Sequence, residues 1–347
     1  MKALIVPARG QLVIDEIAPP EPGPYDALVR ITVCGICNST DRKLIDGTMA
    51  WAPPVPFVLG HEAVGTVVAV GPHVRSYKVG DLVNRPVAFW PGTRPDLNVA
   101  MGGFAEYGLV RDSAAMAADG DASLLSHYLA QRQVVLPATL TPLDAALAIS
   151  LSETASVLRH LPNVRGKTVV VAGTGIAGLA LSLWAKLAGA FVVVVGRRDE
   201  RLAHAQQVGA DVTVNTTAVP YLDALRRAGG GAVDVIIEAT GDAALATTLE
   251  ATLAADGIAL AYGVPPTGTT YGPRWVTADV EEHLSLPWVA DLLSRGWVRP
   301  AWFVSHTWRF DEAPEAFRSV ARGEVIKGFV VLHDVPAAQP AAMGPAQ

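Results

Sequence analysis

Two cysteines, Cys34 and Cys37, are all that this 347-residue chain carries. A disulfide framework is excluded, and the pair fits a reducing, cytoplasmic setting. Uninterrupted apolar runs are also missing. Half of the residues are hydrophobic, yet no stretch reaches the roughly 18 residues that would span a bilayer. The densest run, residues 179–195, is broken by Lys186 and Gly189 and fits a helix followed by a strand. Residues 1–6 lack the charged-apolar-small pattern of a signal peptide and read as a first strand. Basic charge is in deficit, with a net charge of −6, which argues against nucleic acid as a partner, just as the apolar pattern argues against a membrane. Internal repeats are absent. The length suits two domains better than one core.

What is present begins with strands. Residues 1–35 alternate apolar and polar positions between proline-rich turns, and residues 65–71, 80–83 and 102–107 continue the pattern, as in an antiparallel, barrel-like lobe. Residues 84–101 read as an irregular loop, and a short helix is expected at 122–131. From Thr141 the period changes. Helices are expected at 145–158, 179–187 and 313–321. Buried parallel strands are expected at 168–172, 191–195, 233–238 and 257–262, with further strands at 303–310 and 327–332. The expected division is a catalytic domain over 1–150, a dinucleotide-binding domain over 151–295, a return to the first domain over 296–335, and a disordered Pro/Ala tail over 336–347.

Two constellations carry chemistry. In the first lobe Cys34-Gly35-Ile36-Cys37 is followed by Gly60-His61-Glu62. A thiolate from Cys37, the imidazole of His61 and a carboxylate from Glu62 or a later acid form a donor set that suits a catalytic zinc, which takes three protein ligands and keeps one exchangeable position. A redox pair or two buried thiols is the alternative for the cysteines. In the second half Gly173-Thr174-Gly175-Ile176-Ala177-Gly178 sits between a Val-rich strand and an apolar helix. There Gly173 allows a tight turn, Gly175 lets the backbone approach a pyrophosphate, and Gly178 lets helix and strand pack closely. The helix N-terminus, through Ile176 and Ala177, faces the cofactor's negative charge. The ends of two later strands, at Thr240 and Gly263, complete the expected cofactor surface. Eighteen residues beyond Gly178, where an NAD enzyme carries an acid, stand Gly196-Arg197-Arg198. Guanidinium groups bind a 2′-phosphate that a carboxylate would repel, so NADP(H) is expected over NAD(H). A solvated turn, with Asp199 as a displaced ribose ligand, is the alternative.

Gly35-Ile36-Cys37-x-Ser39, Gly60-His61-Glu62-Ala63-x-Gly65, Gly80-Asp81-x-Val83, residues 102–107, the glycine loop and residues 311–317 together resemble the zinc-containing medium-chain dehydrogenase/reductase family of alcohol and polyol dehydrogenases. The resemblance runs in order over residues 1–333. It implies an α/β fold in which a Rossmann doubly wound parallel sheet is joined to a GroES-like antiparallel β-barrel catalytic domain. It implies hydride transfer between NADP(H) and an alcohol or carbonyl: a secondary alcohol, polyol, sugar or cyclitol. Cys37 and His61 resemble the first two zinc ligands, Glu153 resembles the third, and Glu62 an inner-sphere alternate. Ser39 resembles the residue that takes the alcohol proton. Trp51, Phe89 and Trp90 fall where the family's substrate-side loops lie, although core packing accounts for each equally well. A homodimer or homotetramer is implied as well. Three departures stand out. The family's Asp three places after the cysteine is Thr40, so the bond that orients His61 must come from a hydroxyl or another group. The family's histidine five places after the cysteine is Arg42. The four-cysteine structural-zinc lobe between Asp81 and Gly102 is absent, so one zinc per chain is expected. A zinc-free quinone or enone reductase of the same superfamily, and an inactive binding relative, are the rival readings.

Overall fold

The structure is a computed structural model that describes residues 1–121, 132–218, 221–228, 230–266 and 268–333. The expected helix at 122–131 and the Pro/Ala tail lie outside the described residues.

The first lobe is built on one long strand, β3 (Asp26–Ile36), whose inward residues are fully buried. Antiparallel to it run β5 (Glu62–Val70), β8 (Tyr107–Arg111) and, from the far end of the sequence, β16 (Lys327–Val331). β15 (Val304–Arg309) and β6 (Leu82–Asn84) close the edges of this sheet. A smaller four-stranded sheet contains β1 (Lys2–Val6), β2 (Val13–Glu16), β4 (Phe57–Val58) and β7 (Asn98–Val99). The last strands of the chain therefore belong to the same sheet as the Cys34–Cys37 segment. The loop expected at 84–101 does contain the two-residue strand β7, and strand character after Gly102 begins only at Tyr107.

The second lobe is one six-stranded parallel sheet. Its strands are β9 (Thr168–Ala172), β10 (Phe191–Gly196), β11 (Val212–Asn215), β12 (Val233–Glu238), β13 (Leu253–Ala261) and β14 (Trp275–Thr277), in spatial order β11-β10-β9-β12-β13-β14. Taken from the lobe's first strand this is the order 3-2-1-4-5-6 of a doubly wound dinucleotide fold, with its crevice at the carboxyl ends of β9 and β12. The central strands β9 and β10 are near-continuous Val runs because both faces are covered, one by α4 (Ile176–Leu187) and its neighbours.

Helix α3 (Pro142–Val157) joins the lobes. Thr141 accepts from the Asp144 amide and Pro142 occupies the first turn, so the helix starts three residues earlier than its apolar pattern suggests. Twelve of its sixteen residues are buried, which a helix needs when it packs on both lobes. It touches β3 and β5 on one side, α4 and α8 (Glu282–Ser294) on the other. None of the described helices is long and apolar enough to cross a membrane.

Phe89 and Trp90, expected in a substrate pocket, belong instead to the barrel's packing, with 4% and 6% of their surface exposed. Trp90 donates its indole N–H to Asp26 at 3.1 Å while the Arg111 guanidinium lies 4.0 Å from its ring centre. Phe89 packs with Ala3, Ile5 and Val58. Trp51 is different: it is 52% exposed in the turn that follows α1 (Thr40–Asp46).

Candidate active site

Cys37 follows directly on β3, and His61 precedes Glu62, the first residue of β5. The two strands are paired in register Gly35↔Glu62, which brings the three side chains to the same end of the sheet. A side chain at Gly35 would overlap Oε2 of Glu62, so the glycine makes room for the carboxylate. One donor atom each from Cys37, His61 and Glu62 lies within 4.8 Å of the others.

The neighbours of these groups fix their roles. Asp41 is fully buried in α1 and accepts from the Cys37 amide at 2.9 Å; its other oxygen lies 3.0 Å from His61 Nδ1. The carboxylate thus holds the Cys37 backbone and the His61 ring, leaving Nε2 of His61 toward Cys37 and Glu62. With Thr40 in the family's usual place, the orienting acid sits one position later. That residue was missed in the sequence, although an adjacent aspartate was the available signal. Burial opposes charge on His61, but Asp41 and Cys37 outweigh it and raise the imidazole well above its ordinary range.

Glu62 is held by Lys327, which is 1% exposed and donates to its Oε2 and to the carbonyl of Ile36 at 3.1 Å. The Ser150 hydroxyl of α3 donates to the same oxygen at 3.0 Å. Burial alone would raise the Glu62 carboxyl; Lys327, with His61 and Arg85, brings it below the usual carboxylate value. Sequence reasoning missed Lys327 too, and its signal was a single lysine at the head of an apolar strand.

Glu153 is near this cluster but is not one of the three gathered donors. Its Oε1 accepts from Nη2 of Arg85 at 2.6 Å. Burial raises its carboxyl, opposed by Arg85. Glu153, expected as the third ligand, is thus ion-paired to Arg85, and the carboxylate gathered with Cys37 and His61 is Glu62.

Ser39 precedes α1, and its hydroxyl makes no capping bond, so it is exposed and available. Across the gap Lys43 of α1 donates to the Val264 carbonyl of the second lobe at 2.6 Å. The Tyr262 phenol, at the end of β13, is pushed well above its usual range by burial and by Glu153, Cys37 and Glu62. The donor cluster thus faces the carboxyl end of the parallel sheet.

At that end the glycine loop takes the form its spacing suggests. Gly173 has φ of 121°, a backbone that side chains rarely adopt. A side chain at Gly178 would collide with the Gly173 carbonyl, whereas the space outside Gly175, at the start of α4, is open. Thr240 lies against Gly173, and Gly263 abuts the amides of Thr240 and Gly241 and the side chain of Glu238, so the first strand-end position borders the loop and the second lies behind it. Gly196 ends β10. The two arginines after it differ. Arg198 donates to the Gly323 carbonyl at 2.7 Å, while exposed Arg197 makes no hydrogen bond among the described residues. Asp199 accepts from Asn215 at 2.7 Å.

Comparison with known proteins agrees with this architecture. Residues 23–119 match the family described as alcohol dehydrogenase GroES-like domain, and residues 177–281 match the zinc-binding dehydrogenase family. A probable alcohol dehydrogenase of Mycobacterium tuberculosis is 33% identical over 261 residues, covering 70% of each chain. Sorbitol dehydrogenase of Rattus norvegicus is 29% identical over 342 residues, covering 94% of each. Among solved structures, a putative zinc-binding dehydrogenase from Sinorhizobium meliloti bound to NADP superposes with a TM-score of 0.79 at 27% identity, covering 95% of this chain and 99% of that one. The chain belongs to the zinc-dependent medium-chain dehydrogenase/reductase family. Within it, the chain is an oxidoreductase of the alcohol and polyol dehydrogenase type.

Proposed function

We propose that the protein transfers a hydride between NADP(H) and a secondary alcohol, polyol, sugar or cyclitol, or the matching carbonyl, at one zinc held by Cys37, His61 and Glu62. The observation that carries this reading is the meeting of those three donors within 4.8 Å at the carboxyl end of the dinucleotide sheet. A thiolate, an imidazole and a carboxylate suit zinc, and three protein ligands leave the fourth position for substrate oxygen. When bound, zinc supplies Lewis acidity and the nicotinamide supplies or accepts the hydride.

The chain's own residues do the rest. Asp41 fixes the imidazole so that Nε2 faces the site. Lys327 and Ser150 hold Glu62 in place. Ser39, uncommitted to capping α1, takes the hydroxyl proton of the alcohol or returns it to the carbonyl oxygen. Trp51, exposed beside α1, is the remaining candidate of the three aromatics for the substrate side. A cytoplasmic homodimer or homotetramer acting on a small molecule completes the proposal, and the two unbonded cysteines support that compartment.

Replacing Ser39 with Ala should lower kcat about 10²-fold with zinc retained, the scale of a positioned proton-transfer group. A pH–rate profile identical to that of the wild type would assign the proton to water or another side chain.

Cofactor choice rests on Arg197, because Arg198 is already bonded to Gly323. Charge-assisted bonds to a 2′-phosphate contribute about 1.5–3 kcal/mol each, and every 1.4 kcal/mol is about tenfold in affinity. NADP(H) should be favoured about tenfold or more, less so at high salt, and Arg197→Ala should remove most of the preference. Comparing kcat/KM for the two cofactors decides it: equal or better efficiency with NAD would leave Arg197 a solvated turn residue.

A further inference from the structure

Arg85 stands in a segment that resembles no motif, yet it is the most heavily engaged cation near the site. Its backbone is left-handed, with φ of 51°, a conformation that is uncommon for a residue with a side chain. Two hydrogen bonds hold that backbone. The Arg85 amide donates to the Ala63 carbonyl at 2.7 Å, and its carbonyl accepts from Gln133 at 2.8 Å. From that fixed base a side chain only 3% exposed reaches three separate partners. Nη1 donates to the His61 carbonyl at 2.7 Å, Nη2 donates to Glu153 at 2.6 Å, and Nε lies 3.1 Å from Oε1 of Glu282 in α8. The other oxygen of Glu282 is paired with Arg132 at 3.2 Å.

Of the two carboxylates here, Glu62 belongs to the donor cluster and Glu153 is tied to His61 through Arg85, and each has its own cation. Lys327 contacts one oxygen of Glu62, and it is the other, Oε1, that approaches His61 at 3.9 Å. Arg85 takes Oε1 of Glu153 through a short charge-assisted bond and is itself fixed to the backbone of the metal-ligating histidine. We propose that Arg85 is a positioning residue that holds Glu153 outside the metal's ligand set, so that Glu62 is the third protein ligand and the fourth position stays open to substrate.

This rests on the zinc reading above. A planar guanidinium can donate to the His61 carbonyl and to Glu153 at once while its charge lies against Glu282, whereas a lysine ammonium, a compact charge on a flexible stem, cannot hold the same fork. Without Arg85, Glu153 is a largely buried carboxylate, its side chain 22% exposed, with no cation at its Oε1, and a neighbouring divalent ion is the partner that would relieve it.

Cobalt substitution of the full-length protein tests the proposal, since the visible bands of bound Co2+ report coordination and the near-ultraviolet band reports the Cys37 thiolate. Glu153→Gln should leave the cobalt spectrum unchanged and zinc affinity, measured by chelator competition, within about twofold. Glu62→Gln should alter the spectrum and weaken zinc at least about tenfold, given that losing partners one bond further out already costs 10- to 100-fold. Arg85→Met should shift the visible bands as Glu153 joins the metal, and Glu153→Gln added to it should restore the wild-type spectrum. Arg85→Lys should give an intermediate spectrum.

A changed spectrum in Glu153→Gln alone would overturn the proposal by making Glu153 a ligand with Arg85 in place. An unchanged spectrum in folded Arg85→Met would overturn it by removing the role of Arg85. Should Arg85→Met not fold, the Glu153→Gln and Arg85→Lys spectra decide the matter by themselves. A wild-type chain that takes up no cobalt or zinc fails the zinc reading instead, and the two failures are thereby told apart.

Discussion

Cys37→Ser is expected to lose both its zinc and at least about 10³-fold in kcat/KM. The Lewis acid contributes several kcal/mol of charge stabilisation to the transition state, and each 1.36 kcal/mol is tenfold in rate. The hydroxyl is a hard, weakly acidic donor where the site was built around a thiolate whose neighbours are already placed for it. The Thr40 amide lies 3.5 Å from Sγ, and Asp41 fixes the Cys37 amide. Fold should persist, since Cys37 is a partly exposed residue at the end of β3 and none of the core clusters contains it. Circular dichroism, metal analysis and steady-state kinetics on the same preparation check all three parts. A metal-free variant with wild-type kcat/KM would remove the metal from the mechanism.

The second large effect is on stability and lies away from the site. Asp26 is 3% exposed at the start of β3 and accepts from Nε of Arg111 at 2.6 Å, from Nη2 at 2.9 Å and from Trp90 at 3.1 Å. Asp26→Ala leaves the 8%-exposed Arg111 guanidinium without its counter-charge. Breaking a buried pair by removing one partner costs about 3–5 kcal/mol, a large part of a domain's stability. Urea unfolding of the variant should show a midpoint lowered accordingly. Replacing both partners, as Asp26→Leu with Arg111→Met, should recover most of the loss, because the desolvation cost of both charges disappears with them. A loss below about 1 kcal/mol in Asp26→Ala would mean that the pair is solvated in the working protein.

The pattern of what could be read from the sequence follows from how far each interaction reaches. Four of the six parallel strands were legible, β9, β10 and β12 as Val/Ile-rich runs and the second half of β13 as an apolar run after Gly257, whereas β11 (VTVN) and β14 (WVT) are too short and too polar to stand out; β12 and α9 (Ala313–Ala321) fall where their local patterns place them. The glycine loop was legible because its three glycines each answer a local steric demand. The barrel's aromatics were not: in the chain Trp90 reads equally well as a pocket or a core residue, and what decides for the core is Asp26, 64 positions away, which receives its N–H. The same limit governs the site. Cys37 and His61 stand in short motifs, but the partners that give them geometry come from elsewhere: Lys327, 265 positions from Glu62, and Arg85, 68 positions from Glu153. Glu153 resembles a ligand in its own stretch of sequence. Its ion pair with Arg85 exists only once β6 and α3 are packed against each other. Asp41 illustrates a third case, in which the function is kept by a residue one place along.

The central claim is a single zinc bound by Cys37, His61 and Glu62, and anomalous diffraction at the zinc edge from crystals of the zinc-replete protein tests it most directly. One anomalous peak per chain is predicted, at bonding distance of about 2.3 Å from Sγ of Cys37 and about 2.0–2.2 Å from His61 Nε2 and a Glu62 oxygen, with Glu153 still paired to Arg85. Two strong peaks per chain, or one whose ligands exclude Cys37 and His61, would contradict the account.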